Sequence, residues 1–201
     1  MLGRSAECYA AVVFPKLGWA SMNAVADPLP FFGAGVALRR LSVSDLSEFQ
    51  AYRSDADLGR YQGWSALPEA EARAFLEEMS SVLLFRPGEW AQVGITEPGR
   101  SALLGDVGLY LAEDASHAEI GFTLARHAQG RGLATAAVRA AIQFVFEFTT
   151  AERVLGITDA RNHASVAVLE RVGMQRQEER VALFRAESCI EYVYAVVRNH
   201  G

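Results

Sequence analysis

The chain has 201 residues, of which 51% are hydrophobic and 21% are charged, which fits one globular domain with a full core. The net charge of −5 argues against nucleic acid as the main partner, since nucleic-acid-binding domains usually carry a basic excess, and is compatible with a cationic amine substrate. Cys8, Cys189 and the four scattered histidines fit no metal-binding or redox spacing, so we expect no metal and reduced thiols in a cytoplasmic protein.

Residues 1–35 are predicted to be an extension, disordered or loosely packed, ahead of a domain that spans residues 36–198. The apolar run from Cys8 to Phe14 is far shorter than the roughly 20 residues that cross a bilayer, so we expect no membrane partner. No convincing cleavage site of a signal peptide follows this run. Residues 28–35 contain two prolines and two glycines and are predicted to form a loop.

The domain itself is predicted to begin with one strand and three helices. A strand over residues 36–41 precedes a helix to about Tyr52, for which Ser42 or Ser44 can be the cap. A short helix and an aromatic loop follow over residues 54–64. Pro68 then starts a helix that is expected to reach about residue 82.

From residue 89 the pattern changes to strands, interrupted by two helices. The predicted elements are strands over 90–96, 103–111 and 118–124, a helix over 133–148, a strand over 153–158, a helix over 162–172, and closing strands over 174–185 and 189–197. Gly173 stands where a left-handed cap would end the last helix. This order predicts an α+β (mixed α/β) fold with about seven strands in a sheet that helices flank.

The stretch from Ala118 to Glu147 is predicted to form a strand, a tight loop and a long helix. Polar side chains recur at every fourth position of the helix, so nearly all of its surface is expected to be buried. The loop over residues 129–134 places small residues where the helix begins. The free N–H groups of the first helical turn and the helix dipole both favour an anion such as phosphate there.

This glycine loop fits neither of two common nucleotide-binding motifs. A Walker A site requires GxxxxGK followed by Ser or Thr, but the only lysine of the chain is Lys16. A dinucleotide-binding turn requires GxGxxG after the first strand of a βαβ unit, and residues 130–135 lack the third glycine. The pattern that does match is QxxGxA, with Gln129, Gly132 and Ala134.

With this motif, the chain resembles the GNAT superfamily of acyl-CoA-dependent N-acetyltransferases. A second segment, Asn162 to Met174, is similar to the family's NxxSxxxLExxGF pattern, with Met174 in place of the usual aromatic residue. Residues 55–64, followed by the helix from Pro68, and residues 90–95 resemble the RimJ/RimL branch, typified by enzymes that acetylate the N-terminal alanine of ribosomal proteins. The resemblance covers about residues 36–197 and implies the GNAT fold, whose central sheet is mostly antiparallel.

The resemblance implies acetyl-CoA as the acyl donor, without a metal. Its pyrophosphate is expected on the glycine loop, where small residues let backbone N–H groups reach the anion, and its pantetheine arm along the central strand. The residues assigned to acetyl-CoA in this way are Phe122, Thr123, Leu124, Gln129, Gly130, Arg131, Gly132, Leu133, Ala134 and Asn162. A purely solvated role for Arg131 and a helix-capping role for Asn162 stay open.

The resemblance also suggests a base and an acid. Glu119 lies at the family position often assigned to removal of a proton from the amine, directly or through water. Many members place a tyrosine in the last helix as the acid for the leaving thiolate, but Leu169 stands at that position here. Ser165 is then the candidate that remains in this helix. Structural roles are the alternatives for both Glu119 and Ser165.

The acceptor is expected to be a primary amine, either the N-terminal α-amine of a protein or a small-molecule amine. Its pocket is expected to include Tyr61, Trp64 and Trp90, although a core position is the alternative for Trp90. The missing tyrosine leaves a second class of function, a non-catalytic acyl-CoA-binding regulatory module. A homodimer is compatible with either reading of the sequence.

Overall fold

The computed structural model describes residues 27–199, so the expectation for residues 1–26 lies outside the described residues. The strands are β1 (Phe31–Gly33), β2 (Val36–Arg40), β3 (Trp90–Thr96), β4 (Gly105–Leu111), β5 (His117–Leu124), β6 (Arg153–Asp159), β7 (Gln175–Phe184) and β8 (Glu187–Val197). The α-helices are α1 (Leu46–Arg53), α2 (Ala56–Gly59), α3 (Glu69–Ser81), α4 (Leu133–Phe148) and α5 (His163–Arg171). Short 3₁₀ turns at Val43–Asp45 and Arg126–Ala128 lead towards α1 and α4.

One sheet contains the eight described strands, in the order β1-β2-β3-β4-β5-β6-β8-β7. Only β5 and β6 are parallel neighbours within it. The predicted mixed fold with a mostly antiparallel sheet is therefore confirmed, with one strand more than expected. The additional strand is β1, which pairs with β2 over residues 31–33. The prediction of a loop there is wrong, because three residues between prolines and glycines are too few to show an alternating pattern. The boundary of the domain at residue 36 stays a prediction.

The helices cover the two faces of the sheet. On one side, which we call the α4 face, α4 and α5 bury the apolar side chains of the central strands in the larger core. Alanines let α4 approach the sheet closely, since a β-carbon added at Gly33 would lie only 2.8 Å from that of Ala140. The predicted polar stripe of α4 is exposed at Arg139, Gln143 and Glu147, so its buried character is confirmed.

The opposite side, which we call the α1 face, carries α1, α2 and α3. Phe49, Tyr52, Leu76 and Met79 form a second, smaller core there. On each strand, the residues between those that face the larger core point to the α1 face. Several of these residues are polar, so less apolar surface is available for the smaller core.

The sheet divides between β5 and β6. Only residues 117–119 of β5 pair with β6, opposite residues 153–155. Beyond Glu119, β5 continues along β4 and β6 continues along β8, so the two parallel strands separate. This opening, which we call the gap, connects the α4 face with the α1 face.

Candidate active site

The glycine loop at the start of α4 has the geometry of an anion site. Gly130 and Gly132 have φ angles of +73° and +78°, which residues other than glycine rarely adopt. Gly132 is also the N-cap of α4. A β-carbon at either glycine would meet no atom within 4 Å, so the space beside the loop is open. Within residues 27–199, the N–H groups of residues 130–135 donate to no backbone acceptor. These free donors and the dipole of a 16-residue helix favour a phosphate.

The side chains of this loop serve mainly to hold it in place. Gln129 donates from Nε2 to the carbonyl of Leu124 at 2.9 Å, which ties the loop to the end of β5. Arg131 forms an ion pair with Glu97 and is half exposed. Leu133 is buried beneath the first turn of α4 and Ala134 is half-buried. The structure thus brings the predicted loop residues together, with the backbone rather than Gln129 facing the open space.

The edge of β5 in the gap presents backbone groups. The carbonyl of Phe122 accepts a hydrogen bond from Gln62 at 3.4 Å, and that of Leu124 accepts the one from Gln129. Because the N–H and C=O of one strand residue point to the same side, the N–H groups of Phe122 and Leu124 also face the gap. Thr123 points its side chain to the α1 face instead, where it is buried. Phe122 and Leu124 therefore fit the predicted backbone contacts, whereas Thr123 offers only its buried side chain on the other face.

The far side of the gap consists of β6 and the start of α5. Asn162 is the N-cap of α5, and its Oδ1 accepts the N–H of Ser165 at 3.2 Å, so its predicted capping role is present. Ser165 and Leu169 line the gap together with Gly156. A β-carbon at Gly156 would lie 2.7 Å from Leu169, so this glycine lets α5 approach β6 closely. Among the described residues the Ser165 hydroxyl has no hydrogen-bond partner, which leaves it free to donate into the gap.

Glu119 is the last residue of β5 that pairs with β6, one position before the gap opens. Its side chain lies on the α1 face, and its Oε1 is 3.8 Å from Nε2 of His117. Burial raises the pKa of Glu119 above its ordinary value, and the nearby His117 and Arg180 offset part of this effect. A carboxyl group with a raised pKa is a stronger base, which suits removal of a proton from an amine.

The three predicted aromatic residues all lie on the α1 side of the gap. Tyr61 lines the gap, with the guanidinium groups of Arg60 and Arg161 at 5.4 and 5.8 Å from the centre of its ring. Trp64 donates from Nε1 to Oγ1 of Thr123 at 3.2 Å. The Trp90 ring packs on that of Tyr110 at 5.4 Å and is half-buried rather than a core residue.

Two supporting groups on this face could not be found from the sequence. Arg53 donates to the carboxylate of Asp106 at 2.7 Å, and the hydroxyl of Tyr52 binds the same oxygen. Burial and the neighbouring Asp106 raise the pKa of Tyr52 well above its ordinary value. The Arg53 guanidinium also stacks on Trp64, 4.5 Å from the ring centre. Asp106 lies 53 positions after Arg53 and the cluster follows no motif, so no local signal pointed to it.

Arg185, in the turn between β7 and β8, is the second such group. It donates to the carbonyls of Trp64 and Gln62 at 2.7 and 3.3 Å and so holds the aromatic loop against the closing strands.

Across residues 27–199 no three metal-binding side chains cluster closely enough to hold an ion. In the same range, no helix combines the length and the apolar character that crossing a membrane requires.

Comparison with known proteins agrees with this geometry. The family model described as "Acetyltransferase (GNAT) domain" matches residues 36–175, and the chain belongs to this family.

Solved structures with the same fold include a GNAT-family acetyltransferase from Bacillus anthracis. It is 20% identical, with 83% of this chain and 97% of that chain covered and a TM-score of 0.73. The RimL ribosomal L7/L12 α-N-protein acetyltransferase, in complex with coenzyme A, is 18% identical, with 81% and 94% covered and a TM-score of 0.69. The spermidine N-acetyltransferase from Vibrio cholerae, with coenzyme A and spermine, is 15% identical, with 81% and 95% covered and a TM-score of 0.66. At these identities the likeness shows the fold alone.

Proposed function

We propose that this protein transfers the acetyl group of acetyl-CoA to a primary amine by direct attack in a ternary complex. The observation that carries the proposal is the gap between β5 and β6. It lies near the free N–H groups at the start of α4, and Tyr61 and Gln62 of the α1 side line it together with Ser165. A donor bound from one side and an amine bound from the other meet there, and proximity supplies much of the rate.

Backbone groups hold the donor in this proposal. The N–H groups of residues 130–134 bind the pyrophosphate. Arg131 contributes a positive charge, part of which the ion pair with Glu97 neutralises. The N–H groups of Phe122 and Leu124 bind the pantetheine arm and polarise the thioester carbonyl, since hydrogen-bond donors stabilise the charge that develops on this oxygen. Asn162 fixes the start of α5, which places Ser165 on the opposite wall.

Glu119 acts as the base and Ser165 as the acid of the reaction. An alkylamine is protonated at neutral pH, so Glu119 accepts a proton from it, directly or through water. The amine nitrogen then forms a bond to the thioester carbon, and the carbon–sulfur bond breaks. The nitrogen releases its second proton to solvent, and the departing sulfur takes the proton of the Ser165 hydroxyl, which solvent restores. Leu169 cannot fill this acid role, because its side chain carries no ionisable group.

The acceptor is the N-terminal α-amine of a protein or a small-molecule amine. The similar folds of a ribosomal-protein α-N-acetyltransferase and a spermidine acetyltransferase support both classes. Placement in the RimJ/RimL branch, a cytoplasmic location and a homodimer remain predictions. Leu169 at the usual tyrosine position favours one rival function, a non-catalytic acyl-CoA-binding regulatory module.

Two measurements separate the proposal from its rival. The first is the shift of the melting temperature with acetyl-CoA, and the second is thiol release from acetyl-CoA with a panel of amines and N-terminal peptides. We expect both stabilisation by acetyl-CoA and amine-dependent thiol release. Stabilisation without thiol release for any acceptor would support the regulatory module. Absence of stabilisation would contradict the assignment of acetyl-CoA itself.

A further inference from the structure

Three side chains form a line on the α1 face that starts beside the gap. Glu119 is the first of them, and His117, two positions earlier on β5, points to the same face. Nε2 of His117 is 3.8 Å from Oε1 of Glu119, and Nδ1 of the same ring is 3.0 Å from Oγ of Ser116. The two nitrogen atoms of one imidazole therefore face a carboxylate on one side and a hydroxyl on the other. We call these three residues the histidine line.

Exposure to solvent increases along the histidine line. Glu119 and His117 are partly buried, whereas Ser116, in the turn before β5, is exposed. Asp114 fixes this turn, because its carboxylate accepts the N–H of Ser116 at 3.0 Å. The line thus leads from the position of the proposed base to a fixed point at the protein surface.

A base beside the gap must lose the proton that it has accepted before the next turnover. In the sheet, the residues on either side of Glu119 are Tyr110 of β4 and Leu155 of β6. Neither a phenol nor an alkyl group accepts a proton readily near neutral pH, whereas an imidazole both accepts and donates one there. His117 is therefore the neighbour that is chemically suited to take the proton from Glu119.

Four charged groups lie near this carboxyl–imidazole pair. They are Asp114 of the turn, Arg153 of β6, Arg180 of β7 and Glu191 of β8. Arg180 and Glu191 form an ion pair at 3.1 Å, and their charges act on Glu119 in opposite directions. Asp114 favours positive charge on the ring of His117, whereas Arg153, which lies opposite it on β6, disfavours this charge. Because these influences oppose one another, the ring can gain a proton and also release it.

We infer that His117 is a positioning residue that carries the amine proton from Glu119 to solvent. Glu119 accepts a proton from the ammonium group of the acceptor and passes it to Nε2 of the neutral ring, whose own proton is on Nδ1. The imidazolium then releases the Nδ1 proton to water beside Ser116, and exchange with solvent restores the first tautomer. Because 3.8 Å is longer than a hydrogen bond, a small rotation of the carboxyl group completes the contact. This deepens the proposed function, on which it rests, by assigning the route by which the proton leaves.

Two variants, His117→Gln and His117→Ala, test this route. Glutamine keeps polar atoms beside both neighbours but does not relay a proton. The acceptor is the one with the fastest thiol release in a panel of spermidine, butylamine and an N-terminal alanine peptide. We expect kcat to fall about tenfold in both variants, with the KM for acetyl-CoA unchanged, since proton transfer by a positioned group contributes at least this much. Imidazole added to the buffer should restore at least half of the rate of His117→Ala, because it replaces the missing side chain.

The pH profile separates a proton relay from a purely structural role. The route requires an ionised Glu119 and a neutral His117, so the acidic limb of kcat/KM should reflect two protonations in wild-type protein. In His117→Gln it should reflect one and be less steep. His127→Ala, on the exposed turn before α4, is the matched control and is expected to change neither the rate nor the profile.

The inference and the proposed function fail in different ways. If His117→Gln keeps the wild-type rate and an acidic limb of two protonations, the inference is overturned and the acetyltransferase proposal stands. A loss of rate that imidazole does not reverse in His117→Ala overturns it as well, since the ring would then serve only the fold. If no amine or peptide releases thiol with wild-type protein, both fall together.

Discussion

The two sides of the gap are built in different ways. The side that we propose binds acetyl-CoA comes from two continuous segments, residues 120–134 and 162–165, and presents mostly backbone N–H groups. The acceptor side comes from separate segments, such as residues 61–64, 90–92 and 106–110, and presents side chains. A backbone site needs only the right conformation and small residues, whereas a side-chain site depends on every support behind it.

The substitution Gly132→Glu tests the backbone side and is expected to have the largest effect. It places bulk and negative charge at the open face of the loop, where φ is +78°. We expect the dissociation constant of acetyl-CoA to rise at least about a hundredfold, or about 2.8 kcal/mol, by isothermal calorimetry. Gly132→Ala is the control, because it adds the strain of the left-handed conformation, about 1–2 kcal/mol, without the charge. Unchanged affinity of the glutamate variant would refute the loop assignment.

Glu119→Gln tests the base on the acceptor side. We expect kcat/KM for the acceptor to fall by about 10²–10⁴, with acetyl-CoA affinity unchanged, because the amine loses its proton acceptor. In wild-type protein, kcat/KM should fall as the pH drops below the raised pKa of Glu119, and the variant should lack this acidic limb.

Stability provides the control for Glu119→Gln. Because burial raises the pKa of Glu119 in the folded state, the stability that this group contributes is present at low pH. That contribution is lost as the pH rises through the raised pKa. The variant should therefore melt no lower than wild-type protein at neutral pH. Full activity of the variant in the neutral range would leave Glu119 with a structural role.

Arg53→Leu tests the support behind the acceptor pocket. Arg53 and Asp106 are only 7% and 3% exposed, so the substitution leaves a buried carboxylate without its charged partner. The cost is expected to be about 3–5 kcal/mol in the free energy of unfolding. At about 2–4 °C per kcal/mol, a clear fall in melting temperature follows for a protein of this size. Adding Asp106→Leu should recover part of it, and a change of less than about 2 °C by the single variant would contradict the buried-pair account.

Ser165→Ala is expected to have the smallest effect. A thiolate is a tolerable leaving group because a thiol has a pKa of about 8.5, so its protonation contributes less than removal of the amine proton. We expect kcat to fall about tenfold, with the KM for acetyl-CoA unchanged, in steady-state thiol-release assays. An unaltered kcat would show that the serine is structural and that solvent protonates the sulfur.

Much of the donor side could be read from the sequence because its signals are local. The 3.6-residue repeat of α4, the glycines before it and the asparagine cap of α5 each depend on neighbours within a few residues. The QxxGxA resemblance assigned Gln129 to the cofactor, and that assignment stays a prediction; in the structure, Nε2 of Gln129 donates to the carbonyl of Leu124. A motif records which residue type occurs at a position, and the direction of its side chain depends on the chain around it.

The acceptor side could be predicted only in part. The aromatic residues at 61, 64 and 90 suggested a pocket, but nothing local indicated that Gln92 would lie over Gly108. This contact depends on the register of β3 against β4, and a shift of one residue would turn Gln92 to the other face.

The sequence by itself determined the order of the elements from β2 onward and the buried character of α4, and it predicted an anion site at the start of that helix. These follow from periodicity, capping and backbone conformation, which act over short distances along the chain. Only the tertiary structure decided where β5 and β6 separate, how Arg53 and Asp106 pair, and which side chains of β3, β4 and β5 lie beside one another on the α1 face. Those features depend on strand register and on packing between residues far apart in sequence.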